Sequence, residues 1–231
     1  AIALAYAFVL RAGACERPLW RSPSRSALLA LARPSVGFLV AFGLQSMLYR
    51  LDKVALQPRL SADVFGQYMA ASQIFENFAV FAPIVARVLA PMTIYRDDAS
   101  WRAFFILLGS IVGVMTCAAA GLSAFAEPVA VLIYGRGFAG SGPLIALMAW
   151  LAVLAASESV LALALYRVGA GLWTLAKWGT GVGLAALFGF VIAGDAATPA
   201  TGIWMLCLGL SGAILVNIAA IWRIRPLGAQ R

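Results

Sequence analysis

"VGFLVAFGLQSMLYRLDKVAL", residues 36–56, is the stretch on which the fold turns. From Val36 to Leu48 it is an apolar run, and Arg50, Asp52 and Lys53 follow with no turn residue between. Three charged side chains therefore ride on the end of a hydrophobic helix. An apolar run of this length points to a membrane, and the charges then need a reason to be there.

Composition agrees with the membrane reading. Hydrophobic residues make up 63% of the 231-residue chain and charged ones 11%, against roughly 45–50% and about 25% in soluble domains. The 17 basic and 9 acidic residues leave a net charge of +8. The basic residues fall between apolar stretches rather than in a stripe, so they read as topology signals and no nucleic-acid partner is expected. Cys15 lies in a polar loop and Cys117 and Cys207 lie within apolar runs, a spacing that offers neither a disulfide framework nor a zinc site. Histidine is absent, and no G-x-S-x-G or H-E-x-x-H string is present. The chain is not expected to be an enzyme, and no cofactor is expected.

Working outward from residues 36–56, apolar segments can be marked at 1–10, 34–57, 64–90, 102–125, 142–168, 172–193 and 200–222. The first, "AIALAYAFVL", is too short to cross a bilayer, which needs about 20 residues. Its basic residues follow it rather than precede it, so it reads as a cut helix and the chain as a fragment. Because every backbone polar group in lipid must be paired internally, runs of this length favour helices. The expected fold is all-α: a polytopic transmembrane bundle of about seven segments. Residues 1–33 would hold the truncated helix and a basic cytoplasmic loop, and residues 34–231 a six-helix C-terminal lobe.

Orientation follows from Lys and Arg, which concentrate in short cytoplasmic loops. Arg11, Arg17, Arg21, Arg25 and Arg33 form one group, Arg87, Arg96 and Arg102 a second, Arg167 and Lys177 a third, and Arg223, Arg225 and Arg231 the last. Arg50, Lys53, Arg59 and Arg136 fall on the other side. The C-terminus is therefore expected in the cytoplasm. Pro34 suits a first helical turn, after the amphipathic stretch "SALLALAR", and Pro83 should kink its segment. Gly109 with Gly113, and Gly179 with Gly183, are G-x-x-x-G pairs that would permit close helix approach.

Gly135, Gly137 and Gly140 spell G-x-G-x-x-G after the strand-like run "VAVLIY", and Glu158 follows. This resembles a dinucleotide fingerprint. The helix that follows continues apolar and never returns as a second strand, so no parallel sheet exists to hold a nucleotide. A glycine-rich loop with "EPVAVLIYG" as a short interfacial element is the better account.

Charges inside spans cost about 2.5–3.5 kcal/mol each at a helix centre by insertion scales and should face protein or water. For Arg50, Asp52 and Lys53 two readings stand: snorkelling to outer head groups, or a cavity wall, with Asp52 neutralising one neighbour. Glu76 lies deeper, with Gln73 and Asn77 beside it, and a carboxylate there is paired, protonated or a cation site. Glu158, between Ser157 and Ser159, is also near mid-membrane. Arg87, Arg167 and Lys177 lie toward inner ends where snorkelling suffices. Polar positions converging from several helices are what a water-filled cavity requires, and a cavity points to transport.

The run from Asp52 through "LSADVFGQYMAASQI" (60–74) resembles the seventh and eighth helices of bacterial polysaccharide-biosynthesis flippases. There an aspartate closes one helix and a "vG-x-Y-x-x-A" phrase opens the next, matched here by Gly66, Tyr68 and Ala71. Pro91 and "VLIYGRGFAGSGPLIALM" are similar to the end of helix eight and the "YG-x-x-F" loop of those proteins. The resemblance implies helices six to twelve of a twelve-helix exporter of the multidrug, oligosaccharidyl-lipid and polysaccharide superfamily, with the N-terminal half as its missing partner. It further implies translocation of an undecaprenyl-pyrophosphate-linked oligosaccharide, of the kind used for lipopolysaccharide and other surface polysaccharides. The route would be alternating access in the bacterial inner membrane, among membrane lipids and with no bond made or broken. Arg50 and Lys53 would supply positive field, and Asp52, Glu76 and Glu158 would tune it or hold a coupling cation, H+ or Na+. Rival readings are a drug/cation antiporter of the same superfamily, dominated by an acid, and a membrane glycosyltransferase or polymer ligase.

Overall fold

A computed structural model describes residues 25–96, 99–168, 170–194 and 197–224. The expected stub 1–10, the basic loop up to Ser24 and the tail from Arg225 lie outside the described residues. The chain divides into a unit of residues 1–35 and a unit of residues 36–231. Every described element is helical, and no strand occurs among the described residues. In order they are α1 (Arg25–Leu56), α2 (Ala62–Ala79), α3 (Phe81–Thr93), α4 (Trp101–Ala124), α5 (Ala126–Tyr134), a 3-10 helix (Arg136–Ser141), α6 (Gly142–Arg167), α7 (Gly171–Ala186) with a π-helical extension (Leu187–Ile192), and α8 (Pro199–Ile224). The all-α bundle read from the sequence is the fold observed.

Five helical stretches are long and apolar enough to cross a bilayer: Ala62–Thr93, Trp101–Ala124, Arg136–Arg167, Gly171–Ile192 and Pro199–Ile224. The chain is a multi-pass membrane protein. Its outward faces carry side chains that water would not tolerate in such number, among them Leu132 at 85% exposure, Leu172 at 83% and Trp222 at 77%. The expected span 34–57 is helical, within α1. The helix also begins before Pro34 rather than at it, so this proline lies within α1 and not in a first turn.

Local chemistry sets the ends. Pro83 has no N–H to give Ala79, and the segment expected to kink there breaks at Val80 into α2 and α3. Ser100 caps α4, its hydroxyl accepting from the Ala103 N–H at 3.2 Å. Gly135, at φ +91°, ends α5 in a conformation L side chains rarely adopt and turns the chain into the 3-10 helix. The strand-like half of the G-x-G-x-x-G string is thus α5, and the string carries no strand–turn–helix unit.

Helix α6 is the axis, packing against α2, α3, α4, α5 and α8. Its most apolar window is 56% buried and that of α8 50%, against 22–33% for the other three spans, so α6 and α8 form the interior and the rest face outward. Close approach comes from glycines other than those expected. A Cβ on Gly109, Gly113, Gly179 or Gly183 would meet nothing within 4 Å, whereas one on Gly181 would lie 2.8 Å from the Gly209 carbonyl oxygen. Gly179 and Gly183 lie two residues either side of Gly181, about 200° around the helix from it, so their face turns away from α8.

Candidate functional site

Residues 50–53 occupy one helical turn, so each points in its own direction. Arg50 is exposed and reaches a cavity of about 450 Å3. Asp52 is 1% exposed and points into the bundle, where one carboxylate oxygen accepts a hydrogen bond from the Tyr68 hydroxyl and the other, Oδ1, has no partner. Lys53 pairs with Glu76 of α2. Asp52 therefore neutralises neither of its basic neighbours directly. The two pieces of sequence that carried the flippase resemblance, the aspartate closing one helix and the tyrosine opening the next, meet in one hydrogen bond. Tyr68 itself is 0% exposed, lodged where a Cβ on Gly202 of α8 would collide with its hydroxyl oxygen.

Glu158 lies mid-way along α6 and forms a buried ion pair with Lys177 of α7, the two side chains being 3% and 0% exposed. Asn217 of α8 donates to the Glu158 carboxylate at 3.3 Å and to its backbone carbonyl at 3.4 Å, leaving its own Oδ1 without a partner. The Lys177 ammonium also stands 4.9 Å from the centroid of the Trp178 ring and 5.5 Å from that of Tyr166, within cation–π reach. Lys177 is thus no snorkelling residue and no topology signal; it is the buried counter-ion of Glu158. Arg167 donates to the Ile94 carbonyl at 2.8 Å, just past the end of α3.

The cavity lies between α1, α2, α3 and α6, with Arg50, Glu76, Pro83, Arg87, Glu158 and Ser159 among its lining. The break at Pro83 brings Arg87 to it from α3. Of the seven candidate residues, Arg50, Glu76 and Glu158 line it directly, Lys53 enters through Glu76, and Asp52 is buried apart on Tyr68. Gln73 and Asn77 do not join them: both are exposed, bond to each other at 3.5 Å and face away. Around α2, Asn77 lies about 40° from Gln73 on one side and Glu76 about 60° from it on the other, and only Glu76 turns to the cavity.

The sequence reading placed Arg87 and Lys177 at inner ends as snorkelling residues and gave no role to Asn217 or, beyond the resemblance, to Tyr68. Lys177 had a signal: it lies past the first turn of α7, too deep for a helix-end lysine. Asn217, in the middle of an apolar helix, carried a similar one. Arg87 carried none, because its access to the cavity depends on the break beside it.

Both cavity acids are matched by a lysine, whereas Arg50 and Arg87 have no ion-pair partner among the described residues. The wall therefore presents uncompensated positive charge, suited to an anion rather than a cation. Among known proteins, no family model, no curated sequence and no solved structure matches this chain.

Proposed function

We propose that this chain is a lobe of an exporter that carries a lipid-linked oligosaccharide across the bacterial inner membrane by alternating access, its cavity receiving the anionic phosphate of the carrier. The resemblance through Asp52, Gly66, Tyr68 and Ala71 gives the class of cargo. One observation carries the choice within that class: the cavity acids are lysine-paired and the two arginines are not. A drug/cation antiporter would need a carboxylate without such a counter-ion, and neither Glu76 nor Glu158 is one. No bond is made or broken in this reading. The facing lobe would complete the cavity, and Arg87 joins Arg50 as the phosphate ligand in place of Lys53, which Glu76 occupies.

The test is pyrophosphate binding to the chain in lipid nanodiscs. Each charge-assisted contact is worth about 1.5–3 kcal/mol, so Arg50→Ala and Arg87→Ala should each weaken binding by roughly 10-fold or more. Arg136→Ala, whose side chain is exposed outside the cavity, should leave it unchanged. Equal affinity in all three variants would overturn the reading, as would an organic cation that binds through Glu76 while pyrophosphate does not.

A further inference from the structure

The π-helical extension Leu187–Ile192 closes α7 in a wider register than the helix before it, and its hydrogen bonds show where the surplus residue is absorbed. In α register the Ala193 N–H would reach the Gly189 carbonyl. Here it donates one residue further back, to the Phe188 carbonyl at 2.9 Å. The Gly189 carbonyl is thereby released, and the Arg59 guanidinium donates to it at 2.8 Å. Arg59 stands where an α-helix would place the Ala193 amide.

The side chains carry the same shift. Ala185 is 1% exposed and packs in one cluster with Met205 and Leu210 of α8. A heptad later, α register would bring Ile192 to within about 20° of Ala185, yet Ile192 is 66% exposed. The π turn has rotated it away from α8. Beside the turn, Met205 fills the space that a Cβ on Gly189 would need, and its unbranched side chain can repack if the segment rotates.

Arg59 grips the segment twice. Besides the Gly189 carbonyl, its guanidinium carbon lies 5.6 Å from the centroid of the Phe190 ring, within cation–π reach. Its own backbone N–H donates to the Leu56 carbonyl at 2.9 Å, so its place is tied to the last turn of α1. That helix also carries Arg50 to the cavity.

We propose that the C-terminal end of α7 is a two-register latch set by α1. With Arg59 on Gly189 the segment is π-helical and Ile192 faces outward. When α1 draws Arg59 away, the Ala193 N–H returns to the Gly189 carbonyl, the segment becomes α-helical and Ile192 turns toward α8. Both registers satisfy that carbonyl, so neither is penalised for an orphaned acceptor and a small movement of α1 decides between them.

Nitroxide labels on the chain in lipid nanodiscs, in a background of Cys15→Ala, Cys117→Ala and Cys207→Ala, test the latch. A label at Ile192→Cys should be mobile while Arg59 is present. Arg59→Met keeps the apolar stem and removes the donor, and should abolish the mobile component of that label's spectrum. A label at Leu172→Cys, 83% exposed at the start of α7, should stay mobile in both chains. Deleting Val191 takes out the surplus residue, so the segment should then be α-helical with Ile192 outward, and Arg59→Met should no longer affect the label. If Arg59→Met leaves the label at 192 mobile, or immobilises it equally in the chain lacking Val191, the latch is wrong. If Arg59→Met alone fails to fold, rescue by the Val191 deletion supports the latch and failure in both backgrounds overturns it.

Discussion

Lys177 and Glu158 are the side chains on which the interior depends most. Removing one member of a buried pair strands the other in a medium that cannot solvate it, at a cost of about 3–5 kcal/mol. Lys177→Met should therefore lower stability by that order in a denaturant titration of the detergent-solubilised chain. Adding Glu158→Gln should recover most of the loss, because an amide can remain on Asn217. If the double variant is as unstable as Lys177→Met, the pair is not what holds these helices. Tyr68→Phe is a smaller perturbation of the same kind. It would leave both Asp52 oxygens without a partner and should cost about 1.5–3 kcal/mol, with Asp52→Leu in the same background restoring stability. These roles were only half legible in the sequence. A charged residue in an apolar run announces that it must be paired, but its partner lies on another helix and is fixed by packing alone.

Among the elements, α7 and α8 test how helices meet when lipid competes for their apolar faces. Association in a bilayer draws on close packing and not on hydrophobic exclusion, so small residues at the contact are decisive. A Cβ on Gly181 would meet the Gly209 carbonyl oxygen at 2.8 Å, and one on Gly209 would meet a Leu48 methyl at 2.5 Å. Gly181→Ala and Gly209→Ala should each destabilise by about 1–3 kcal/mol through overpacking. Gly179→Ala and Gly183→Ala should be neutral or slightly stabilising, since nothing lies within 4 Å and alanine favours helix over glycine. The same titration ranks the four variants; a penalty at 179 or 183 equal to that at 181 would refute the assigned contact face. The π-helical extension Leu187–Ile192 belongs to this contact as well: the Gly189 carbonyl accepts from Arg59 at 2.8 Å, and Gly189 itself makes room for Met205. A G-x-x-x-G string marks a face that can be approached closely, and two such strings were visible in the sequence. Which glycine is approached depended on helix rotation, which the strings do not encode.

For the whole molecule, the proposed orientation puts the C-terminus in the cytoplasm. A green fluorescent protein fused there should be fluorescent and an alkaline phosphatase fused there inactive; the reverse pattern would invert the topology. The sequence by itself determined that the chain is helical and membrane-embedded, because hydropathy and span length are local quantities set by the solvent the chain must satisfy. It also placed the ends of α4, α6 and α8 within a few residues and the break near Pro83, since a missing N–H acts on its own turn. Only the tertiary structure decided which charges cancel. Lys53 on Glu76, Lys177 on Glu158, and Asp52 on Tyr68 join helices that are adjacent in space, and the rotation of each helix about its axis is fixed by packing against α6 and α8. Arg50 and Arg87 are left facing a cavity because the charges that would have neutralised them were committed elsewhere, a result of three-dimensional pairing that no single segment contains.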